Sequence, residues 1–129
     1  MANAFEVTGG KKLKGEIVPQ GAKNEALQIL CAVLLTPEKV TISNIPAIRD
    51  VLALIDILKD LGVKVEKLSE EEYTFQADAI NLDYLKTDTY KKKGAALRGS
   101  IMIMGPLLTR FKKAYMPKPG GDKIGRRRL

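Results

Sequence analysis

The chain has 129 residues, of which 45% are apolar and 29% charged, so it can bury the core of one ordinary soluble domain. A single cysteine and the absence of histidine exclude an internal disulfide, a Cys/His zinc site and any catalytic couple that needs an imidazole. We therefore expect no metal and no cofactor, and any acid–base chemistry must come from Asp, Glu, Lys or Tyr.

The net charge of +7 is concentrated toward the C-terminal end. Residues 91–128 carry 12 basic side chains and the single acid Asp122, whereas residues 1–90 carry 10 basic and 14 acidic side chains. Such a basic segment favours an anionic partner, which can be a phosphate-bearing small molecule, nucleic acid or an acidic membrane surface. No apolar run approaches the roughly 18 residues that span a bilayer, and the N-terminus lacks a signal peptide, so the sequence predicts a cytoplasmic protein.

The first 80 residues are predicted to form elements in the order β-α-β-α-β-β. Residues 13–18 are typical of a short strand, and apolar residues at helical spacing predict a helix over about 23–36. A strand at 40–42 follows, and then a second helix between Pro46 and its C-terminal cap Gly62. Two alternating segments, 63–68 and 73–77, predict a hairpin around the polar loop 69–72.

A second copy of this unit is predicted to follow the first. A shift of 73 residues superimposes Gly21 on Gly94 and Pro46 on Pro119, which predicts a helix over about 95–108 and a strand near 112–116. Repeat one would occupy about 22–80 and a truncated repeat two about 81–129. Because the second copy is cut off, we expect a fragment of a longer protein.

Two helix starts carry side chains suited to anion binding. Lys23 and Asn24 stand where a turn at Gly21 leads into a helix, so the lysine and free backbone N–H groups can converge on a phosphate or carboxylate. The alternative interpretation is that Lys23 is an ordinary solvated lysine.

Arg98 lies in an otherwise apolar helix and must reach solvent, a phosphate or the carboxylate of a structural salt bridge. The neighbouring Met102 and Met104 are expected in the core.

The densest signal is the glycine-rich segment 117–128, PKPGGDKIGRRR, which holds the carboxylate of Asp122 among cations. Its glycines allow the backbone to approach a ligand closely. The spacing of Gly120 and Gly125 copies a nucleotide-binding P-loop, but arginines stand where that loop needs Lys followed by Ser or Thr, which excludes the match. A flexible surface loop with solvated arginines is the alternative interpretation.

Three motifs, GAKNEAL at 21–27, LRGSI at 97–101 and GGDKIG at 120–125, resemble those of the UDP-N-acetylglucosamine enolpyruvyl transferases in sequence, order and spacing. The resemblance covers essentially the whole chain. It implies an α/β fold, an inside-out α/β barrel of two domains built from repeated β-α-β-α-β-β units, of which the chain would hold about one and a half. Residues 1–21 would join the C-terminal domain, and residues 22–129 would begin the enolpyruvyl transferase domain.

The reaction implied by this resemblance transfers the enolpyruvyl group of phosphoenolpyruvate to the 3′-hydroxyl of UDP-N-acetylglucosamine and releases phosphate, the first committed step of peptidoglycan synthesis. Lys23 and Asn24 would bind phosphoenolpyruvate, Arg98 would bind UDP-N-acetylglucosamine, and Arg127 would lie near both. Lys23, Arg127 and Asp122 would be catalytic. Asp122 departs from the family pattern, because a cysteine more often stands there as general acid and as the target of fosfomycin. Cys31, on the apolar face of the first helix, is expected in the core.

Two other interpretations remain open. A shikimate-pathway enolpyruvyl transferase shares the fold and phosphoenolpyruvate but matches the motifs less well, and a basic nucleic-acid-binding module would explain the charge but not the repeat. The expected partners are the two substrates and the missing C-terminal part, rather than nucleic acid or a membrane. We expect the chain to be inactive alone, because a closing two-domain site needs groups from both domains. Self-association of the chain is left open.

Overall fold

The computed structural model describes residues 4–118 and residue 120. Its helices and strands are, in chain order, α1 (Lys23–Ala32), β1 (Lys39–Ile42), α2 (Arg49–Asp60), β2 (Lys64–Lys67), β3 (Tyr73–Gln76), α3 (Asp88–Ala96) and α4 (Met104–Phe111). Three 3₁₀ helices cover Val33–Leu35, Leu82–Lys86 and Arg98–Ile103. The predicted α/β class is confirmed. No helix in the described part of the chain is long and apolar enough to cross a membrane.

The first unit forms as predicted from α1 to β3. Its antiparallel sheet has the order β1-β3-β2, and Val40 and Val65 both stand opposite Phe75 on the central strand. Phe75 is fully buried and both edge strands are partly exposed, since the sheet packs its apolar side chains against the helices. The central strand therefore anchors the core of this unit.

Both predicted helices of the first unit are confirmed. α1 ends at Ala32 and its last turn tightens into the 3₁₀ helix before Pro37, as helix ends often do. α2 ends at Asp60, and Gly62 follows with a φ of 108°, which is accessible mainly to glycine. The Gly62 N–H donates to the Lys59 carbonyl and the Val63 N–H to the Leu58 carbonyl, at 3.0 and 2.9 Å. These two bonds form a Schellman cap, so the predicted role of Gly62 is correct.

The predicted strand at 13–18 is wrong. Residues 4–20 form neither helix nor strand, and Leu13 and Ile17 are 97% and 89% exposed. A strand needs a neighbour for its backbone N–H and C=O groups, and none of the three described strands pairs with this segment. The sequence of residues 13–18 is typical of a strand, but this segment pairs with no sheet edge within the described residues.

The second unit differs from the prediction in three ways. The predicted helix over 95–108 is confirmed in part, as the 3₁₀ helix Arg98–Ile103 followed by α4. α3 was not predicted, although Thr87 accepts a hydrogen bond from the Tyr90 N–H at 3.2 Å and so caps it. The predicted strand near 112–116 is wrong, because α4 ends at Phe111, its C-cap Lys112 has a φ of 59°, and residues 113–118 are irregular.

The two units nevertheless share packing contacts at corresponding positions. A Cβ on Gly21 would overlap the Asn44 carbonyl oxygen, and a Cβ on Gly94 would come within 2.8 Å of Pro117 Cγ. Residues 21 and 94, and residues 44 and 117, are each separated by 73 positions. The same spacing relates two pairs of fully buried residues, Leu30 with Ile103 and Leu34 with Leu107. These contacts support the internal repeat.

Candidate active site

A cleft of about 850 Å³ lies between the N-terminal ends of α1 and α2 and the 3₁₀ helix that begins at Arg98. Lys23, Asn24 and Arg98 all line it, so the structure brings together two segments that the sequence analysis had selected separately. The two remaining predicted site residues, Asp122 and Arg127, lie outside the described residues.

Lys23 is directed by a carboxylate on the neighbouring helix. It begins α1 after the extended Ala22, and its Nζ lies 3.0 Å from Oδ2 of Asp50 in the first turn of α2. Both side chains are close to half exposed, so the pair contributes little to stability. It does restrict the position of the ammonium group, which is therefore held at the cleft rather than freely solvated.

Arg98 is placed by contacts of the residues on either side of it. Leu97 is extended and buried, and Gly99 packs so closely on α1 that an added Cβ would lie 3.0 Å from Leu27 Cδ1. The half-buried Arg98 forms no ion pair with any carboxylate of residues 4–118. The structural salt bridge considered for Arg98 thus has no partner among these residues, and the guanidinium can accept an anion.

The predictions that Met102 and Met104 lie in the core are wrong. Met102 lines the cleft and is 42% exposed, and Met104 is 39% exposed. The 3₁₀ helix has about three residues per turn, so it buries Ser100 and Ile103 and turns Met102 outward. Ser100 is accommodated in the core because its hydroxyl donates to the Gly94 carbonyl at 2.8 Å.

One side of the cleft is built on a network of charged groups that the sequence analysis missed. Lys93 of α3 lies 2.6 Å from Asp56 and 2.5 Å from Asp60, and Tyr84 donates its hydroxyl proton to Asp60 at 2.8 Å. The hydrogen bonds to Asp56 and Asp60 raise the pKa of Lys93, and the bond from Lys93 lowers the pKa of Asp60. Lys93 and Asp60 therefore stay charged near neutral pH, and the contacts of Lys93 with Asp56 and Asp60 tie α2 to α3.

The electrostatic balance of the cleft favours anions. Four cations and two carboxylates line it. Lys23 and Lys93 are engaged by aspartates, whereas Arg49 and Arg98 have no carboxylate partner in the part of the chain that the structure describes. Guanidinium groups present N–H donors in a fork that matches phosphate and carboxylate oxygens. Arg49 could have been found from the sequence, because it follows the break at Pro46 much as Lys23 follows Pro19.

The beginning of the glycine-rich segment lies beside the cleft. A Cβ on Gly120 would overlap the carbonyl oxygen of Ala95, so the backbone of residue 120 packs directly on the end of α3. The next residue of α3, Ala96, lines the cleft. Only glycine permits this close approach, which agrees with the role inferred for the glycines of this segment.

Cys31 lies in the core, as predicted. Its side chain is 1% exposed, and burial raises the pKa of its thiol to about 12. A buried thiol with this pKa is a poor nucleophile and a poor proton donor at neutral pH. Cys31 is therefore not available as a nucleophile or a general acid for the cleft.

A second cavity of about 830 Å³ lies elsewhere, and Lys86, Lys112, Lys113 and Tyr115 contribute to its lining. Three cations make it a rival anion site. It contains none of the predicted site residues, and its lining also includes the carboxylate of Asp83 and the apolar side chains of Leu85 and Leu108.

Comparison with known proteins identifies relatives over almost the whole chain. A family model described as EPSP synthase (3-phosphoshikimate 1-carboxyvinyltransferase) matches residues 7–128. Proteins named UDP-N-acetylglucosamine 1-carboxyvinyltransferase from Porphyromonas gingivalis and Bacteroides fragilis are each 56% identical over 126 residues, and one from Borreliella burgdorferi is 40% identical over 127 residues. Each match covers 98% of this chain, and the chain spans 29% of the length of these relatives.

Proposed function

The chain belongs to the EPSP synthase (3-phosphoshikimate 1-carboxyvinyltransferase) family, and from this premise we propose that it forms part of the substrate site of a UDP-N-acetylglucosamine 1-carboxyvinyltransferase. Such an enzyme transfers the enolpyruvyl group of phosphoenolpyruvate to UDP-N-acetylglucosamine in the cytoplasm, at the start of peptidoglycan synthesis. The observation that carries the proposal is the cleft in which Lys23, Asn24 and Arg98 meet with an excess of positive charge.

The proposed fold places this chain within an inside-out α/β barrel. Residues 1–21 belong with a second domain, and residues 22–129 begin the domain that holds the cleft. The unpaired segment at 13–18 supports this division, since its exposed apolar side chains have no partner strand among the described residues. The shared contacts of Gly21 and Gly94 support the repeated unit.

In the proposed reaction, the sugar hydroxyl adds to C2 of phosphoenolpyruvate, C3 is protonated, and phosphate then leaves. Lys23 and Asn24 bind phosphoenolpyruvate, Arg98 binds the UDP-sugar, and Arg127 contacts both. These fixed cations stabilise the charge that develops on the tetrahedral intermediate. Gly120 lies beside the cleft, which supports a role for the following residues, including Asp122, in the same site.

Asp122 is the proposed proton donor to C3. A free Asp side chain has a pKa of about 3.9 and is ionised at neutral pH, and nearby cations favour the ionised form further. The acid form must therefore arise with the substrates bound. Either the proton comes from the phosphorylated substrate, or the two bound anions raise the pKa of the carboxyl group.

A chimeric enzyme tests the proposal. Residues 4–129 of this chain would replace the matching segment of the Porphyromonas gingivalis relative, which is 56% identical. We expect the chimera to release phosphate from phosphoenolpyruvate when UDP-N-acetylglucosamine is added, and the 129-residue chain alone to release none. A folded chimera without activity would contradict the proposal.

A shikimate-type transferase is the second candidate, because the matching family is described as 3-phosphoshikimate 1-carboxyvinyltransferase. The curated relatives favour the UDP-sugar, since those at 56% identity carry that name. Shikimate 3-phosphate is therefore the discriminating acceptor in the chimera assay. Turnover with this acceptor and none with UDP-N-acetylglucosamine would establish the second candidate in place of the first.

A further inference from the structure

Arg49 is a cation of the cleft that the proposed function does not use. It is the first residue of α2, its side chain is exposed, and it lines the cleft together with Lys23 and Arg98. Its chain neighbour Asp50 lies 3.0 Å from Lys23, and Arg49 lines the same cleft as this proposed phosphoenolpyruvate-binding lysine.

The pairing pattern distinguishes Arg49 from the lysines of the cleft. Asp50 partly neutralises Lys23, and Asp56 and Asp60 together neutralise Lys93. Within residues 4–118 and 120, Arg49 has no carboxylate at ion-pairing distance. An unpaired cation attracts an incoming anion more strongly than a paired one, because no nearby carboxylate offsets its charge.

We propose that Arg49 binds a phosphoryl group of a substrate in the cleft. The inference rests on the proposed function, which supplies two sources of this group, the phosphate of phosphoenolpyruvate and the diphosphate of UDP-N-acetylglucosamine. A guanidinium can donate two parallel N–H bonds to phosphoryl oxygens, which a lysine cannot. In this arrangement three elements contribute cations to the substrate site: α2 contributes Arg49, the 3₁₀ helix contributes Arg98, and α1 contributes Lys23.

Three variants of the chimeric enzyme isolate this role. Arg49→Gln removes the charge, Arg49→Lys keeps the charge without the fork, and Lys59→Gln removes a charge from the last turn of the same helix, away from the cleft. Loss of a charged hydrogen bond corresponds to a change in KM of about tenfold. We expect Arg49→Gln to raise the KM of a substrate by about this factor, Arg49→Lys to raise it less, and Lys59→Gln to leave it unchanged.

The two substrates identify the source of the phosphoryl group. A rise confined to the KM of phosphoenolpyruvate assigns Arg49 to that phosphate, and a rise confined to UDP-N-acetylglucosamine assigns it to the diphosphate. If both KM values for Arg49→Gln equal those of Lys59→Gln in an active chimera, the inference is overturned and the proposed function stands.

An inactive chimera would count against the proposed function but would not test the role of Arg49. A binding measurement tests that role without turnover. Inorganic pyrophosphate would be titrated by calorimetry into the 129-residue chain and into the same variants. The inference predicts that Arg49→Gln weakens binding about tenfold relative to Lys59→Gln. Equal dissociation constants for these two variants, or no binding by the parent chain, would overturn it.

Discussion

At the scale of single residues, the chemistry of the proposed site depends on what a carboxyl group can do at position 122. Proton delivery to C3 needs an acid within hydrogen-bond reach, which a carboxylic acid can supply. Opening an epoxide to a stable adduct draws instead on the nucleophilicity of a thiolate. Acid catalysis and fosfomycin sensitivity are therefore separable at this residue.

Two substitutions in the chimera test this separation. Asp122→Cys should remain active and gain sensitivity to fosfomycin, whereas Asp122→Asn, which has nearly the same size, should lose at least about a hundredfold in kcat with little change in KM. Phosphate release measures the rate, and mass spectrometry detects the adduct. Normal turnover by Asp122→Asn, or a fosfomycin adduct on Asp122 itself, would remove Asp122 from the mechanism.

The network of Lys93, Asp60 and Tyr84 predicts a pH dependence of stability. Because the pKa of Asp60 is lower in the folded state, its contribution is complete above the unfolded pKa of about 3.9 and is lost as the pH falls through the folded value. The free energy of unfolding should therefore fall more steeply with acidification in the wild type than in Asp60→Asn. Urea titrations between about pH 6 and 3 measure the slopes.

Asp83→Asn is the matched control, since it removes a carboxylate that is 89% exposed. If Asp60→Asn and the wild type lose stability in parallel over this range, the ion pair with Lys93 does not form as described.

At the scale of elements, the first unit was predictable because its signals are local. The helical spacing around Leu30, the cap at Gly62 and the alternation on both sides of residues 69–72 each specify an element without distant help. The predicted strands at 13–18 and 112–116 failed for one physical reason. A strand is stable only beside another strand, and neither segment has one within the described residues.

The candidate site was predictable in part for a related reason. Lys23 and Arg98 were selected from their sequence neighbourhoods, and Arg49 has a comparable local signal, but Lys93 acquires its role only when α2 and α3 pack together. Met102 was misplaced because the sequence predicted one helix over about 95–108, whereas the chain adopts a tighter 3₁₀ helix at Arg98–Ile103.

Gly21 gives the element-scale prediction. The turn before α1 approaches Asn44 so closely that a Cβ at position 21 would overlap the Asn44 carbonyl oxygen, whereas a Cβ at Gly15 would meet nothing within 4 Å. Gly21→Ala should lower the free energy of unfolding by about 1 to 3 kcal/mol, and Gly15→Ala should change it by less than about 0.5 kcal/mol. Denaturant unfolding compares the two, and equal values would contradict the described approach of α1 to the loop after β1.

At the scale of the whole molecule, we propose that both substrates bind in one of the two basic cavities described above, which are lined by residues that the structure describes. The cleft of Lys23, Arg49 and Arg98 is assigned to them, and the cavity of Lys86 and Lys113 is not. Both cavities are cationic, so overall charge alone does not separate them. The distinction depends on where the ligand binds.

The most direct test is an NMR titration of the 129-residue chain with UDP-N-acetylglucosamine, followed residue by residue through the backbone amides. We expect saturable shifts at Asn24, Arg49 and Gly99, which line the cleft, and none at Lys86 or Lys113. Shifts confined to Lys86 and Lys113, with the cleft amides unchanged at saturating ligand, would contradict the assignment of the cleft as the substrate site.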